Sequence, residues 1–299
     1  MDMRIMQACD LCPRLCGVYR SKEKGYCGCG ESLKVARAAL HHWEEPCISG
    51  SRGSGTVFFC GCPLGCVYCQ NHAISRGGAG QEITVPRLAE VFLELQAQGA
   101  HNINLVTATP FVPHVKEALQ MARPALHIPI VYNCGGYERA ETIRALSGFV
   151  DVYLPDIKYM SAEMAQRYSN APDYFETAAA AVTEMVAQTD GIELDGDGLM
   201  RRGVIVRHMV LPGGKRDSID ILRWISDNLP KGKYKLSLMS QYTPIQRLEA
   251  FPEINRRVTS LEYDAVVDEA VRLGLTDGYM QQRSSANAAY IPPFDGEGV

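Results

Sequence analysis

Three cysteines, Cys62, Cys66 and Cys69, fall within the run Phe59-Cys60-Gly61-Cys62-Pro63-Leu64-Gly65-Cys66-Val67-Tyr68-Cys69. Their C-x3-C-x2-C spacing offers three soft thiolates to one metal centre and leaves that centre a ligand short. A site closed by four ligands braces a fold, whereas an open position lets a metal bind and activate a second molecule. Two plainer readings compete. Cys60 as a fourth thiolate would make a structural zinc site, although such sites favour paired C-x2-4-C spacings. Disulfides suit the chain less well, because the spacing is tight and Met1-Asp2-Met3-Arg4-Ile5-Met6-Gln7 lacks the apolar core of a secretory signal. The expected compartment is the cytoplasm, where the 11 cysteines point to metal or redox chemistry.

A second group lies upstream. Cys9, Cys12, Cys16 and Cys27 supply four thiolates, with Pro13 and Gly17 providing tight turns. Four closed ligands fit zinc or an iron-sulfur cluster, with reduced, metal-free cysteines as the alternative. So short a segment can hardly build its own core, which gives a metal staple a physical motive. Cys29 and Cys47 read as small hydrophobes. His41-His42 reads as a polar surface pair, and Asp195-Gly196-Asp197-Gly198 as a solvated turn without the remaining ligands of a calcium loop.

Secondary-structure elements must position these groups. Residues 1–50 are expected to form a small separate Cys-rich element, ended by the linker Gly50-Ser51-Arg52-Gly53-Ser54-Gly55. A main domain over 51–245 and a C-terminal helix and tail over 246–299 follow. In the main domain, a strand at 56–59 feeds the cysteine loop. Leu88, Val91, Phe92 and Leu95 recur at helical spacing between an N-cap at Thr84 and a stop at Gly99. Strands at 103–106, 128–132, 150–154, 204–211 and 234–239 alternate with helices at 113–121, 138–146, 174–188 and 219–229. That alternation predicts an α/β domain with a parallel sheet, and leaves a partial barrel and an open doubly wound sheet equally open. In the tail, Val266, Val267, Ala270 and Val271 mark one helix face, and Tyr290-Ile291-Pro292-Pro293-Phe294 is expected to pack as an extended segment.

Composition narrows the function classes. Among 299 residues, 21% are charged and 46% hydrophobic, the balance of a soluble globular chain. A net charge of −4 leaves no basic excess for nucleic acid. No apolar run approaches the roughly 20 residues of a membrane span.

Further runs sit at the ends of the expected strands. They are His101-Asn102-Ile103-Asn104-Leu105-Val106-Thr107, Ile130-Val131-Tyr132-Asn133-Cys134-Gly135-Gly136-Tyr137-Glu138 and Asp151-Val152-Tyr153-Leu154-Pro155-Asp156-Ile157-Lys158. To these are added Arg207-His208-Met209-Val210-Leu211-Pro212-Gly213 and Ser240-Gln241-Tyr242. With its cysteine run and these segments, the chain resembles the radical SAM superfamily over residues 54–245. Within that superfamily it is most similar to the pyruvate formate-lyase-activating-enzyme group.

The resemblance implies a partial (β/α)6 barrel of TIM-like type. It also implies a [4Fe–4S] cluster on Cys62, Cys66 and Cys69, whose fourth iron binds S-adenosylmethionine (SAM). The implied activity is reductive cleavage of SAM and hydrogen abstraction from a substrate, fed by an electron donor such as flavodoxin or ferredoxin. The implied partner is a glycyl radical enzyme. Cofactor contacts would come from Tyr68, Thr107, Thr109, Asn133, Asp156, Lys158 and Arg207.

Plainer roles exist for some of these: a strand-end ion pair for Asp156 and Lys158, a turn former for Asn133, and a strand-face arginine for Arg207. Cys134 reads as a small inert residue at a strand end. One segment departs from the group, since Thr107-Ala108-Thr109-Pro110 stands where a Gly-Gly-Glu-Pro-like turn is usual. The competing functions are radical SAM modification of a small molecule or peptide, and a zinc-bound scaffold without catalysis.

Overall fold

The computed structural model describes residues 8–76, 78–244, 247–281 and 292–299. Its strands are β1 Lys34–His41, β2 Ser54–Phe59, β3 Gln81–Glu82, β4 Ile103–Val106, β5 Ile130–Cys134, β6 Val152–Pro155, β7 Glu193–Leu194, β8 Met200–Met209, β9 Lys235–Met239 and β10 Gly278–Met280. The helices are α1 Pro46–Ser49, α2 His72–Ser75, α3 Val85–Ala97, α4 Val112–Ala122, α5 Ala140–Ala145, α6 Ala162–Ser169, α7 Tyr174–Thr189, α8 Lys215–Asn228 and α9 Ser260–Arg272. Among the described residues no helix is long and apolar enough to cross a membrane.

The sheet is mostly parallel. β2, β4, β5, β6, β8, β9 and β10 lie side by side in chain order, with β1 antiparallel on β2 and β3 antiparallel on β1. Successive side chains of a strand point to opposite faces. On one face, Phe59, Leu105, Tyr132, Tyr153, Val204 and Val206 share a core with Leu88, Phe92, Val115, Leu119, Ile143, Val182 and Ile221 from the helices. The intervening residues Val131, Val152, Leu154 and Ile205 pack in a separate cluster with Cys47 and Ile48. A doubly wound sheet reverses its strand order and carries helices on both faces. Here the order never reverses and the large helices share one face, so the doubly wound alternative falls.

The expected βα series matches the observed one closely, with offsets that have local causes. β5 and β6 start two residues later than expected. Pro129 lacks the N–H a ladder needs, and the first β5 amide, Ile130 N–H, is held by Asp151 Oδ2 at 2.8 Å. Thr84 caps α3 by accepting from Arg87 N–H at 3.2 Å, and Gly99 ends the turn after it with φ +90°.

Three expectations need correction. Residues 1–50 are not a separate element, because β1 is paired with β2 from Val35↔Phe59 to His41↔Ser54. Its three alanines carry little strand propensity, and pairing rather than side-chain type makes it a strand. The glycine-serine joint is correspondingly not a free linker, since Gly53, Ser54 and Gly55 are buried. In α9, Tyr263, Val266 and Ala270 are buried, but Val271 is exposed. Of the tail segment, Tyr290 and Ile291 lie outside the described residues. Phe294 meets Phe58 edge-on at 5.5 Å, and Gly296 and Glu297 hydrogen-bond to β1.

Candidate active site

The strand register gathers polar side chains at one end of the sheet. Across neighbouring strands, Phe58 pairs with Val106, Val106 with Asn133, Asp156 with Arg207, and Met209 with Met239. In a parallel sheet, paired residues point the same way. Here that direction is away from the helices. The result is a cavity of about 250 Å³ beyond the carboxyl ends of the strands. Its lining includes Cys62, Cys66 and Cys69 with Tyr68, Thr107, Asn133, Asp156, Lys158 and Arg207. The carboxyl ends of parallel strands are where such sheets hold their ligands.

An ion-pair network forms its floor. Arg207 donates from Nε to Asp156 Oδ1 at 2.9 Å, from Nη1 to Glu44 Oε2 at 3.2 Å and from Nη2 to Asn133 Oδ1 at 2.6 Å. Lys158 Nζ donates to Asp156 Oδ2 at 2.5 Å. Asn133 and Asn104 each donate to Glu44 Oε1 at 3.2 Å. Burial alone would raise the Asp156 pKa, but Arg207 and Lys158 overcome it and hold that carboxyl below its ordinary value. Glu44 is pushed upward by burial despite Arg207. Each terminal nitrogen of Arg207 keeps a second N–H beyond these bonds.

The cysteine loop is held from several sides. Ser169, the last residue of α6, donates its hydroxyl to Cys66 Sγ at 3.1 Å and is bonded to Tyr159 OH at 2.9 Å. The Tyr159 hydroxyl in turn shares a 2.6 Å hydrogen bond with Tyr68 OH. Val67 N–H bonds the Tyr168 carbonyl, and Leu64 N–H points at Cys62 Sγ at 3.4 Å. Arg14, far upstream, donates to the carbonyls of Pro63 at 2.8 Å and Ser169 at 2.9 Å, with its guanidinium 4.0 Å above the Tyr26 ring. Cys60 points elsewhere, bonding the Ala79 carbonyl at 2.8 Å, so it is not placed as a fourth ligand.

Not every expected residue reaches the cavity. Thr109 turns away and donates to Glu138 Oε1 at 2.6 Å, beside the upstream cysteines. Burial pushes that Glu138 carboxyl up to about 8. His41, expected on the surface, lines the cavity, while His42 is exposed and covers Gly53. Glu44 and Trp43 also line it. Sequence reasoning missed them because they belong to the segment read as separate. The expected solvated turn stands, with Asp195 Oδ1 accepting from Asp197 and Leu199 N–H at 3.0 Å.

One support residue carries a pH dependence. His208 Nδ1 faces the Ile157 carbonyl at 2.6 Å, so that nitrogen carries the proton, and Nε2 meets Ser218 Oγ at 2.8 Å. Burial lowers its pKa from 6.5 to about 4. A depressed folded pKa means that its contribution is complete above the unfolded value and is lost as pH falls through the folded one. Unfolding free energy is therefore expected to drop between pH 6.5 and about 4 through this group, by on the order of 3 kcal/mol. Urea unfolding across that window, compared with His208→Asn, reads the contribution out; identical slopes would contradict it.

A family model of the radical SAM superfamily matches residues 56–225, which take in most of β2, the cysteine loop and β3 to β8. The chain belongs to the radical SAM superfamily. An uncharacterized protein of Methanocaldococcus jannaschii is 30% identical over 279 residues, which cover 91% of this chain and 76% of that protein. The crystal structure of methylornithine synthase (PylB) overlaps 73% of this chain and 68% of its own, at 15% identity and TM-score 0.44. Streptococcus suis SuiB bound to its precursor peptide SuiA overlaps 74% of this chain and 46% of its own, at 8% identity and TM-score 0.46. SuiB bound to S-adenosylmethionine overlaps 74% of this chain and 45% of its own, at 8% identity and TM-score 0.44.

Radical SAM membership implies a [4Fe–4S] cluster and SAM, and the donor set fits them. Withdrawal from water pushes the Cys62 thiol up to about 12 and the Cys69 thiol up to about 11, with the other cysteines of the set adding to both shifts. Thiols so disposed keep their protons unless a cationic centre draws them off. Among the described residues no three His, Cys, Asp or Glu side chains group as ligands of a single ion. Ligands of a cubane sit on separate irons and need no such grouping.

Proposed function

We propose that this chain is a radical SAM enzyme of the activating-enzyme type, with Cys62, Cys66 and Cys69 holding the [4Fe–4S] cluster. The observation that supports this most is the placement of those three thiols in one cavity with Asn133, Asp156, Lys158 and Arg207. When bound, the cluster supplies the electron that splits SAM into methionine and a 5′-deoxyadenosyl radical. The chain's own residues bind, orient and shield. Arg207 fixes Asn133 and Asp156, and its spare N–H groups suit a carboxylate such as that of SAM. Lys158 stands between Asp156 and the cysteines, where its charge offsets theirs. Thr107, held at φ +58° at the end of β4, turns the backbone into the cavity in place of the Gly-Gly-Glu-Pro-like turn. Phe58, Val106, Met209 and Met239 limit water around the reacting atoms. The unreversed strand order and single helical face support a partial (β/α)6 barrel around this site.

On this reading the hydrogen donor is a glycine of a partner enzyme, and the partner would carry a glycyl radical. A small molecule or peptide is the second reading, favoured by a cavity of about 250 Å³ that Trp43 and Pro292 of this same chain help to line. Cys62→Ala, Cys66→Ala and Cys69→Ala are each expected to abolish 5′-deoxyadenosine formation by the anaerobically reconstituted, reduced protein, measured by chromatography. Continued SAM cleavage by these variants would refute the assignment. A glycyl-radical EPR signal on a candidate partner separates the two readings, because turnover of a small molecule without it supports the second.

A further inference from the structure

We propose that Cys9, Cys12, Cys16 and Cys27 hold a second [4Fe–4S] cluster, built against the Cys62 loop but separate from the cavity described above. These four cysteines line one small cavity together with Arg20 and Pro110. Gly25 leaves the room they need. A Cβ at that position would stand 3.2 Å from Cys16 Sγ and 3.6 Å from Cys27 Sγ, so both sulfurs crowd one glycine from the same side.

Arg20 supplies the independent observation. Its Nη1 donates to the Pro110 carbonyl, and its guanidinium lies 5.4 Å from the centre of the Phe111 ring. Its Nε and Nη2 are buried and have no hydrogen-bond partner among the described residues. A cationic donor left unpaired in the interior costs about 1–3 kcal/mol or more, and an adjacent anion removes that cost. Four thiolates around an oxidised cubane core make a dianion, which is the group such an arginine would face. Zinc with four thiolates has the same charge but draws its sulfurs to about 2.3 Å from one point. The upstream sulfurs share one cavity, as the Cys62 set shares another.

The two sets are in direct backbone contact. Cys62 N–H donates to the Cys27 carbonyl at 3.3 Å, and Gly61, φ +81°, lets Cys29 and the Cys27 carbonyl close on the loop. A centre at the upstream site would therefore fix the chain that presents Cys62.

Metal content and EPR test the proposal on the full chain, reconstituted anaerobically with iron and sulfide. The triple variant Cys62→Ala, Cys66→Ala, Cys69→Ala is expected to retain about four irons and four sulfides per chain, and a reduced-cluster EPR signal after dithionite. Wild type should hold about eight irons. A triple variant without iron, or one carrying about one zinc in its place, would overturn the proposal. Wild type and the triple variant together report on the Cys62 set: a wild type that holds no more iron than the triple variant would sink the active-site assignment alone. Arg20→Leu leaves every cysteine in place. It is expected to keep the iron count and to lower the upstream cluster's reduction potential, since a neighbouring cation favours the more negative reduced state. Arg20→Lys should restore part of the shift. An unchanged potential in Arg20→Leu would remove the arginine from the proposal's support.

Discussion

Arg207→Leu is expected to lower the free energy of unfolding by about 3–5 kcal/mol. The guanidinium is nearly buried, at 12% side-chain exposure, and bonds Asp156 and Glu44 directly. Its charge also acts on Glu45. Removing it leaves these carboxylates with Lys158 as the one remaining cation bonded to the group among the described residues. Breaking a buried pair on one side costs far more than the pair contributes when intact, because the other charge stays in a poor solvent. The pH dependence has a definite sign. Arg207 and Lys158 hold Asp156 below its ordinary pKa, so its contribution is present above the unfolded value and fades as pH falls through the folded one. The gap between wild type and Arg207→Leu should therefore close on acidification. Denaturant unfolding at pH 7.5 and at a pH well below the ordinary aspartate value of 3.8 measures both effects. A lysine cannot reproduce three differently directed bonds, so Arg207→Lys is expected to recover only part of the loss. Equal midpoints for wild type and Arg207→Leu would show that the network contributes nothing to stability.

Gly136→Ala is expected to cost about 3 kcal/mol or more and to reduce SAM cleavage in step. Gly136 has φ +78°, and a Cβ there would land on the Asp156 carbonyl oxygen and stand 2.9 Å from the Tyr174 hydroxyl. That hydroxyl bonds Lys158 N–H, the Gly135 carbonyl and the Asp156 carbonyl, each at 2.9 Å. The glycine thus sets how closely the β5 loop approaches the residues that position Asp156 and Lys158. Gly148→Ala is the control, with φ +77° and nothing within 4 Å of the added carbon. It carries the backbone strain without the clash, about 1 kcal/mol. Thermal unfolding of both variants separates the two contributions; equal losses would show that the close approach is unimportant.

Periodic and punctuated segments were readable from the sequence. Leu88, Val91, Phe92 and Leu95 mark α3 because a helix must bury one face, and Thr84 and Gly99 bound it by their own backbone chemistry. β1 was not readable, since Lys-Val-Ala-Arg-Ala-Ala-Leu-His has neither alternation nor β-branched density, and only its partner β2 makes it a strand. Helix α6 was missed too, although Ser161 caps it and Asn170 ends it in the left-handed region. Its eight residues are mostly polar, so the periodic signal is weak.

The cysteine chemistry belongs to the sequence alone. C-x3-C-x2-C brings three thiols into one short loop through local spacing, whatever the chain does elsewhere. Tertiary structure decided the surroundings of those thiolates. Glu44 joins Arg207 across 163 positions of chain, Ser169 reaches Cys66 across 103, and Thr109 turns its hydroxyl to Glu138 and away from the cavity. The physical reason is range. A motif is held by bonds along the backbone, whereas a buried charge network depends on strand register and on which segments the core brings together.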